Sequence, residues 1–450
     1  MSAEALGAAW WRQQVAQLSR PNIIWVAFSG GLDSTVLLHS LARARAAPLK
    51  AVHVDHQLQS ASGRWARRCR EQARRWGVEF QGLTVDCSAQ GEGPEAAARR
   101  ARYEALAQLL GKGDYCAVAH HRDDQAETVL YRLLRGSGVE GLAGMAPLRP
   151  LGRAQLWRPL LGLPRSLLRD YARQHRISWI EDPQNQDQRY SRVWLRRELL
   201  PQLERRFPEV AERLAQTAAH SRDAAELVQQ QAEQDMARAR IADGGLDLRR
   251  LAQLAAARQR GLLRAWLSDQ GLQPSTQQLQ RILAEVIAAR VDATPVFRLG
   301  ERELRRYRQG LWCMARLSEV PAMPSAKLRI GSVRLRAGAG LLRITAGPSL
   351  PQLHWRFAQG GERLKLAGEA HHRSLKSLHQ AAANPPWLRE RMPLIYLQDQ
   401  LISVAGRWNA PAWIALERRH GLQLEWRHRL PGDPEPENPA DGLTPGEQAG

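Results

Sequence analysis

A chain of 450 residues with 44% apolar composition has material for two to four packed domains, and no stretch approaches the ~18 uninterrupted apolar residues of a membrane span. Its four cysteines, Cys69, Cys87, Cys116 and Cys313, are too dispersed for a C-x-x-C redox or metal pair, so reduced thiols in a cytoplasmic protein are expected. The formal charge is +20, and only five of the 65 basic residues are lysines, the rest being arginines. Planar guanidinium groups in that number favour a polyanionic partner, nucleic acid first.

The N-terminal stretch Met1 to Arg20, with Glu4 and Trp10-Trp11-Arg12, reads as an amphipathic helix and not as a signal peptide. The apolar run Ile23 to Phe28 predicts a strand, and Thr35 to Arg45 a helix. Between them lies Ser29-Gly30-Gly31-Leu32-Asp33-Ser34, which such a strand and helix would turn into a phosphate cradle. The turn offers backbone N–H groups, the helix adds its positive end, and the two glycines let an anion approach without Cβ interference. Ser34 can cap the helix or donate to a phosphate oxygen. Asp33 would repel phosphates unless a divalent cation lies between, so Mg²⁺ is expected there.

Strand and helix then alternate as a parallel sheet requires: a strand at Leu49 to Val54, a helix around Gly63 to Trp76, a strand at Val78 to Val85 and a helix at Pro94 to Leu110. A strand at Tyr115 to Ala119 ends in His120-His121-Arg122-Asp123-Asp124-Gln125-Ala126-Glu127-Thr128. Right-handed crossovers bring the cradle, His53 and this segment to one sheet edge. There a histidine can meet a phosphate, while Asp123, Asp124 and Glu127 offer hard oxygen ligands or helix N-terminal charges. Two arginine clusters are candidate contacts to a nucleic-acid backbone: Arg64, Arg67, Arg68, Arg70, Arg74 and Arg75, and Arg302, Arg305, Arg306 and Arg308.

The SGGxDS cradle lacks the Walker and dinucleotide-fold patterns and resembles that of the PP-loop ATP pyrophosphatases, which cleave ATP between its α and β phosphates. With His53-Val54-Asp55-His56, Glu95-x-x-Ala98-Arg99-x-x-Arg102-Tyr103, HHxDDxxET, Arg135-Gly136-x-Gly138-x-x-Gly141-Leu142-x-x-Met145, Arg158 to Leu161 and Trp179 to Asn185, the resemblance narrows to the tRNA(Ile)-lysidine synthase family over about the first 205 residues. The resemblance implies an ATP-dependent ligase. Such enzymes adenylate C2 of the wobble cytidine in a CAU-anticodon isoleucine tRNA and join free L-lysine to it, changing codon reading from AUG to AUA.

It also implies ATP contacts by Ser29, Gly30, Gly31, Leu32, Asp33, Ser34 and His53, and catalytic roles for Asp33, Arg99, His120 and Asp124. Arg102, Arg135, Glu140, Asp182, Arg192 and Arg196 become substrate-binding candidates, with Glu140, Glu181, Asp182 and Asp187 unranked for the lysine amine. Departures are Gln57-Leu58-Gln59, where the family often reads Gly-Leu-Arg, and Val193 where it usually has Asn. A base-thiolating PP-loop enzyme would need cysteine pairs, which the chain lacks; a non-catalytic tRNA-binding protein is the other alternative.

Beyond Pro208, alanine, arginine, glutamine and leucine at helical spacing predict helices at Val210 to Arg240 and Leu248 to Ser268. From Leu328, β-prone residues and glycines take over and resemble the C-terminal domain of longer lysidine synthases, thought to engage the acceptor stem. Arg373 and Lys376, with Lys365, Arg389 and Arg391, would then be phosphate contacts. The expected fold is α/β: a Rossmann-like parallel-sheet PP-loop domain over 1–208, a helical tRNA-binding domain over 209–320 and a small α+β domain over 321–430. Residues 431–450, rich in proline, glycine and acids, are expected to be a disordered tail.

Overall fold

The computed structural model describes residues 6–57, 62–86, 94–181, 191–241, 244–290, 293–320, 325–335, 339–347 and 351–428, and the chain divides into two units, Met1–Val228 and Gln229–Gly450. The readings at Cys87, Gln59, Asp182, Asp187, Gln184-Asn185 and the tail lie outside the described residues.

In the first unit, α1 (Ala8–Ala16) precedes β1 (Ile24–Ala27), α2 (Leu32–Ala44), β2 (Leu49–Asp55), α3 (Ser62–Arg75), β3 (Glu79–Thr84), α4 (Pro94–Leu109) and β4 (Tyr115–Ala117). Next come α5 (Arg122–Leu133), α6 (Val139–Leu142), β5 (Leu148–Leu151), β6 (Ala154–Trp157) and α7 (Arg165–Gln174). The sheet order is β3-β2-β1-β4-β6-β5, parallel except for β5, which pairs antiparallel with β6 at the edge. Central strands carry continuous apolar runs because helices cover both faces. Trp11, Leu37, Leu38 and Leu168 pack on one face, and Leu106, Leu110, Cys116 and Leu156 on the other.

The first unit closes with α8 (Ser191–Trp194), a π-helical turn at Leu195–Leu199 and α9 (Leu200–Arg206); α10 (Val210–Ala239) then runs across the unit boundary. The second unit carries α11 (Leu248–Ala252), α12 (Ala256–Asp269) and α13 (Thr276–Arg281) on a core with Leu262, Leu263, Trp266 and Leu304. The segment read as helical also contains strands: β7 (Leu246–Asp247), β8 (Val296–Leu299), β9 (Arg302–Tyr307) and β10 (Gly310–Ala315) form an antiparallel sheet ordered β7-β10-β9-β8.

A separate core around Ile395, Ile402, Val404 and Trp413 organises the α+β region. There β-strands Ala326–Lys327, Leu353–Arg356, Leu394–Leu397, Gln400–Val404 and Trp408–Asn409 form one sheet. Strands Gly331–Arg334, Leu341–Thr345 and Gln423–Arg427 form another.

Arg306 and Arg391, read as nucleic-acid contacts, are structural instead, and Arg305, Arg308 and Arg389 also have partners within the protein. Arg306 is 5% exposed and donates to the carbonyls of Val286, Ile287 and Ala289, satisfying the end of a helical segment. Arg305 pairs with Glu303 at 2.7 Å, and Arg308 donates to Gln380 O. Arg391 is 3% exposed and donates to Trp387 O and Ser318 O, while Arg389 donates to Asn384 O and the Tyr307 hydroxyl. Burial of a guanidinium requires such partners, and a group that has them all inside the protein is spent as a phosphate ligand.

Candidate active site

The chain winds outward from β1 through β2 to β3, then returns to place β4 on the other side of β1. At such a reversal the connections leaving two neighbouring strands go to opposite faces, and a crevice opens beyond their C-terminal ends. The Ser29–Ser34 loop leaves β1, and the His120–Glu127 segment leaves β4, so topology alone brings the two motifs together.

Gly30 has φ +82°, and a Cβ there would stand 2.7 Å from Cys69 Sγ and 2.8 Å from Ile180 Cδ1. Only glycine fits a left-handed position packed this closely. Ile180 N donates to Gly30 O at 2.8 Å, which holds the loop in place. The N-cap of α2 is Gly31, which makes no side-chain cap bond, so the amides of the first turn face outward as an anion site. Ser34 is not the cap: it lies inside the helix, donates to Gly31 O at 3.1 Å and sits 3.0 Å from Ser29 Oγ. Leu32 is buried and anchors the turn.

Asp33, 28% exposed in the first turn of α2, is 3.4 Å from Arg165 Nε and 3.8 Å from His121 Nε2. His121 is the N-cap of α5 in a reciprocal capping box with Asp124, whose Oδ2 accepts from His121 N at 3.0 Å. Asp124 Oδ1 accepts from Arg196 Nη2 at 2.8 Å, and Arg196 also forks onto Glu127 at 2.5 and 3.0 Å. The result is one chain of charge: Arg165, Asp33, His121, Asp124, Arg196 and Glu127.

Burial alone would depress the His121 pKa, but the hydrogen bond to Asp123 and the charges of Asp124 and Asp33 outweigh it and raise it above 6.5. Burial would raise Asp123, yet His121 and the backbone N–H of Arg165 hold it at about 2. Arg196 stays above its ordinary range because Glu127 and Asp124 more than offset its desolvation.

His120 is occupied differently from its neighbour. It takes Arg158 Nε on Nδ1 at 3.2 Å, and its pKa is lowered to about 4, chiefly by burial and further by Arg158, against the pull of Asp124. It is therefore a neutral imidazole at pH 7. His53 is buried with Nδ1 2.8 Å from Phe28 O, at the root of the loop.

Arg99 is exposed over the Tyr103 ring at 5.1 Å, and Arg102 holds His56 Nε2. Arg135 and Arg192 flank Tyr131 at 5.4 and 5.9 Å from its centroid, one helical turn beyond Glu127. Glu140 and Glu181 are exposed, and Val193 is half-buried beside Arg192. Arg373 and Lys376 belong to the second unit, where Arg373 reaches Glu369 at 3.4 Å.

Sequence reasoning missed Arg165 and Arg158 as site neighbours and preferred His120 to His121. Arg165 opens α7 after Gly162-Leu163-Pro164 and carries no local sign of reaching Asp33, 132 positions earlier. The capping box at His121 was readable from the three-residue spacing to Asp124.

No cluster of three or more His, Cys, Asp or Glu that could hold a metal ion by itself occurs among the described residues; Asp33, at the cradle, offers a carboxylate. That fits Mg²⁺, which takes one or two carboxylates and completes its shell with phosphate oxygens and water.

Comparison with known proteins adds three family models: a PP-loop domain over residues 9–203, a TilS substrate binding domain over 246–312 and a TilS substrate C-terminal domain over 353–426. The chain is 42% identical over 419 residues to the tRNA(Ile)-lysidine synthase of Alkalilimnicola ehrlichii, covering 89% of this chain and 92% of that one. It is 39% identical over 414 residues to the enzyme of Pectobacterium atrosepticum, with 88% and 92% covered. Against that of Pseudomonas aeruginosa it is 41% identical over 415 residues, with 89% and 92% covered.

Proposed function

The chain belongs to the tRNA(Ile)-lysidine synthase family, and from that premise we propose how its residues share the reaction. The overall change is ATP-dependent joining of lysine to C2 of the wobble cytidine in CAU-anticodon tRNA(Ile), with release of AMP and pyrophosphate. In the first step the cytidine O2 attacks the α-phosphorus of ATP and pyrophosphate leaves. In the second, the ε-amine of free L-lysine adds at C2, AMP departs with O2, and one proton is released.

The observation that carries the assignment is the meeting of the uncapped Gly30–Gly31 turn with the Asp33–His121–Asp124 chain beyond β1 and β4. The turn amides and the α2 N-terminus cradle the ATP phosphates, with Ser29 and Ser34 supplying hydroxyls at the same turn. Asp33 would hold Mg²⁺, which when bound screens the phosphate charge and orients the pyrophosphate as leaving group. Arg165 lies on Asp33 and is placed to meet the same phosphates.

His121, whose pKa Asp123, Asp124 and Asp33 raise, faces the leaving group between Asp33 and Asp124. Neutral His120, held by Arg158, contributes an imidazole without adding a proton. Asp124 and Glu127 are the carboxylates beside this site, and their pairing with Arg196 supports reading them as partners for a cationic group. We assign the lysine amine to them ahead of exposed Glu140 and Glu181, with Asp124 the acceptor of the released proton.

Arg99, Arg102, Arg135 and Arg192 lie on the exposed rim and are assigned to the anticodon loop; Arg373 and Lys376, in the second unit, are assigned to tRNA phosphates. The domains follow as catalytic 1–208, tRNA-binding 209–320 and C-terminal 321–430. No helix among the described residues is long and apolar enough to cross a membrane, and the cytoplasm holds all three substrates.

Asp33→Asn tests the cradle: its turnover should fall at least about a hundredfold, the scale of a lost transition-state charge contact, while tRNA affinity holds. Near-normal turnover of this variant over a range of Mg²⁺ concentrations would remove Asp33 from the metal role.

A further inference from the structure

On α3, Arg64, Arg67, Arg68, Glu71, Arg74 and Arg75 stand at i, i+3, i+4, i+7, i+10 and i+11. That spacing puts five guanidinium groups and one carboxylate on a single stripe of the helix. All six residues are exposed, while Cys69 and Ala73 on the opposite face are fully buried against the sheet. The helix is pinned along one edge of the stripe, where Arg68 Nη2 donates to Trp179 O at 3.4 Å and Gln72 Nε2 donates to Ser178 O at 2.8 Å. Arg70 lies off the stripe, over the Phe80 ring at 5.5 Å.

Among the described residues, Arg64, Arg67, Arg74 and Arg75 make no ion pair, hydrogen bond or ring contact. Glu71 is the one acid at helical spacing from Arg67, Arg68, Arg74 and Arg75, so the stripe keeps a strong excess of positive charge. In contrast, Arg306 and Arg391 in the second unit are buried and fully used.

Position gives the stripe a use. Because α3 connects two parallel strands, β2 and β3, it runs back along the sheet, and its N-terminal end lies toward the edge that carries the cradle. Eleven residues at a rise of 1.5 Å make the stripe about 16 Å long, leading away from that edge.

We propose that this face of α3 is a docking rail for the sugar-phosphate backbone of the substrate tRNA, extending its grip beyond the reacting nucleotide. The proposal rests on the reading that the chain acts on tRNA. Charge complementarity selects the occupant: a row of exposed, forked donors suits successive phosphates and carries no base specificity.

The test measures tRNA(Ile) binding by the full chain across 50–300 mM salt for wild type and for a variant with Arg64, Arg67, Arg74 and Arg75 all changed to Gln. Each lost phosphate contact lowers the slope of log K against log salt by about 0.7–0.9, so the slope should become shallower by about 3. Affinity at low salt should fall at least tenfold. Changing the same four residues to Lys should retain most of the slope.

Glu71→Gln provides a check that does not depend on the quadruple variant folding: removing the one acid should tighten binding at low salt. An unchanged slope in the quadruple variant with unchanged affinity in Glu71→Gln, or loss of binding only to heparin or anionic vesicles, would overturn the rail. Failure of wild type to bind tRNA at all would instead overturn the underlying reading.

Discussion

Asp123 and His121 show how the candidate site is held before any substrate arrives. Asp123 lies 3.6 Å from His121 Nδ1 and takes the backbone N–H of Arg165 at 3.0 Å, joining the starts of α5 and α7. The Asp123 pKa is held at about 2 against an ordinary 3.8, so its contribution to stability is present above pH 3.8 and is lost as pH falls toward 2. The His121 pKa is raised above 6.5, so its contribution is full below pH 6.5 and is lost as pH rises through the folded value.

The pair therefore stabilises most between about pH 4 and 6.5. Asp123→Asn, which keeps an oxygen for Arg165 N, should lower the melting temperature most near pH 5. The deficit should shrink toward pH 3 and again as pH rises through the folded pKa of His121. Thermal melts of both proteins from pH 3 to 9 check this, and a deficit independent of pH would show that the contact is neutral.

Helix α6 (Val139–Leu142) buries none of its residues, so packing does not explain its position. Polar side chains do. Arg132 Nη1 donates to Gly141 O and Gly144 O at 2.8 Å, Gln125 exchanges bonds with Met145 N and O at 2.7 and 3.0 Å, and Arg222 reaches Ala143 O and Met145 O. Two bonds from a charged donor are worth about 1.5–3 kcal/mol each. Arg132→Ala should accordingly raise amide hydrogen exchange in Gly141–Met145 at least about tenfold without changing exchange in β1 or β4. Exchange that rises everywhere would mark Arg132 as a residue of global stability.

The elements were legible in the sequence where one period dominated. The alternation through Tyr115, the glycine turn at Ser29–Ser34 and the α10 pattern each placed an element within a few residues. The strands at Val296–Ala315 were not, because Arg302, Arg305, Arg306 and Arg308 read as a basic surface and hid a strand whose Glu303, Leu304 and Arg306 are buried. Gly136, Gly138, Gly141 and Gly144 marked a special turn, yet the clamp includes Arg222, which no local spacing could connect to it.

For the whole molecule, the +20 charge is a weaker guide than its distribution. Arg158, Arg306 and Arg391 are 3–5% exposed and serve the fold, whereas the arginines of the α3 stripe are exposed to solvent. Composition alone pointed to a polyanion and could not separate these two kinds of arginine. The site was legible as two motifs on one sheet edge; its wiring through Arg165 and Arg158 depends on packing of residues distant in sequence.

The central claim is that the crevice beyond β1 and β4 joins lysine to cytidine at the expense of ATP. The direct measurement is mass spectrometry of nucleosides from CAU-anticodon tRNA(Ile) incubated with the protein, Mg²⁺, ATP and isotopically labelled lysine. A labelled cytidine adduct, with AMP and pyrophosphate released in equal amounts, is the predicted result. Bound tRNA whose cytidine stays unmodified while ATP is intact would contradict it.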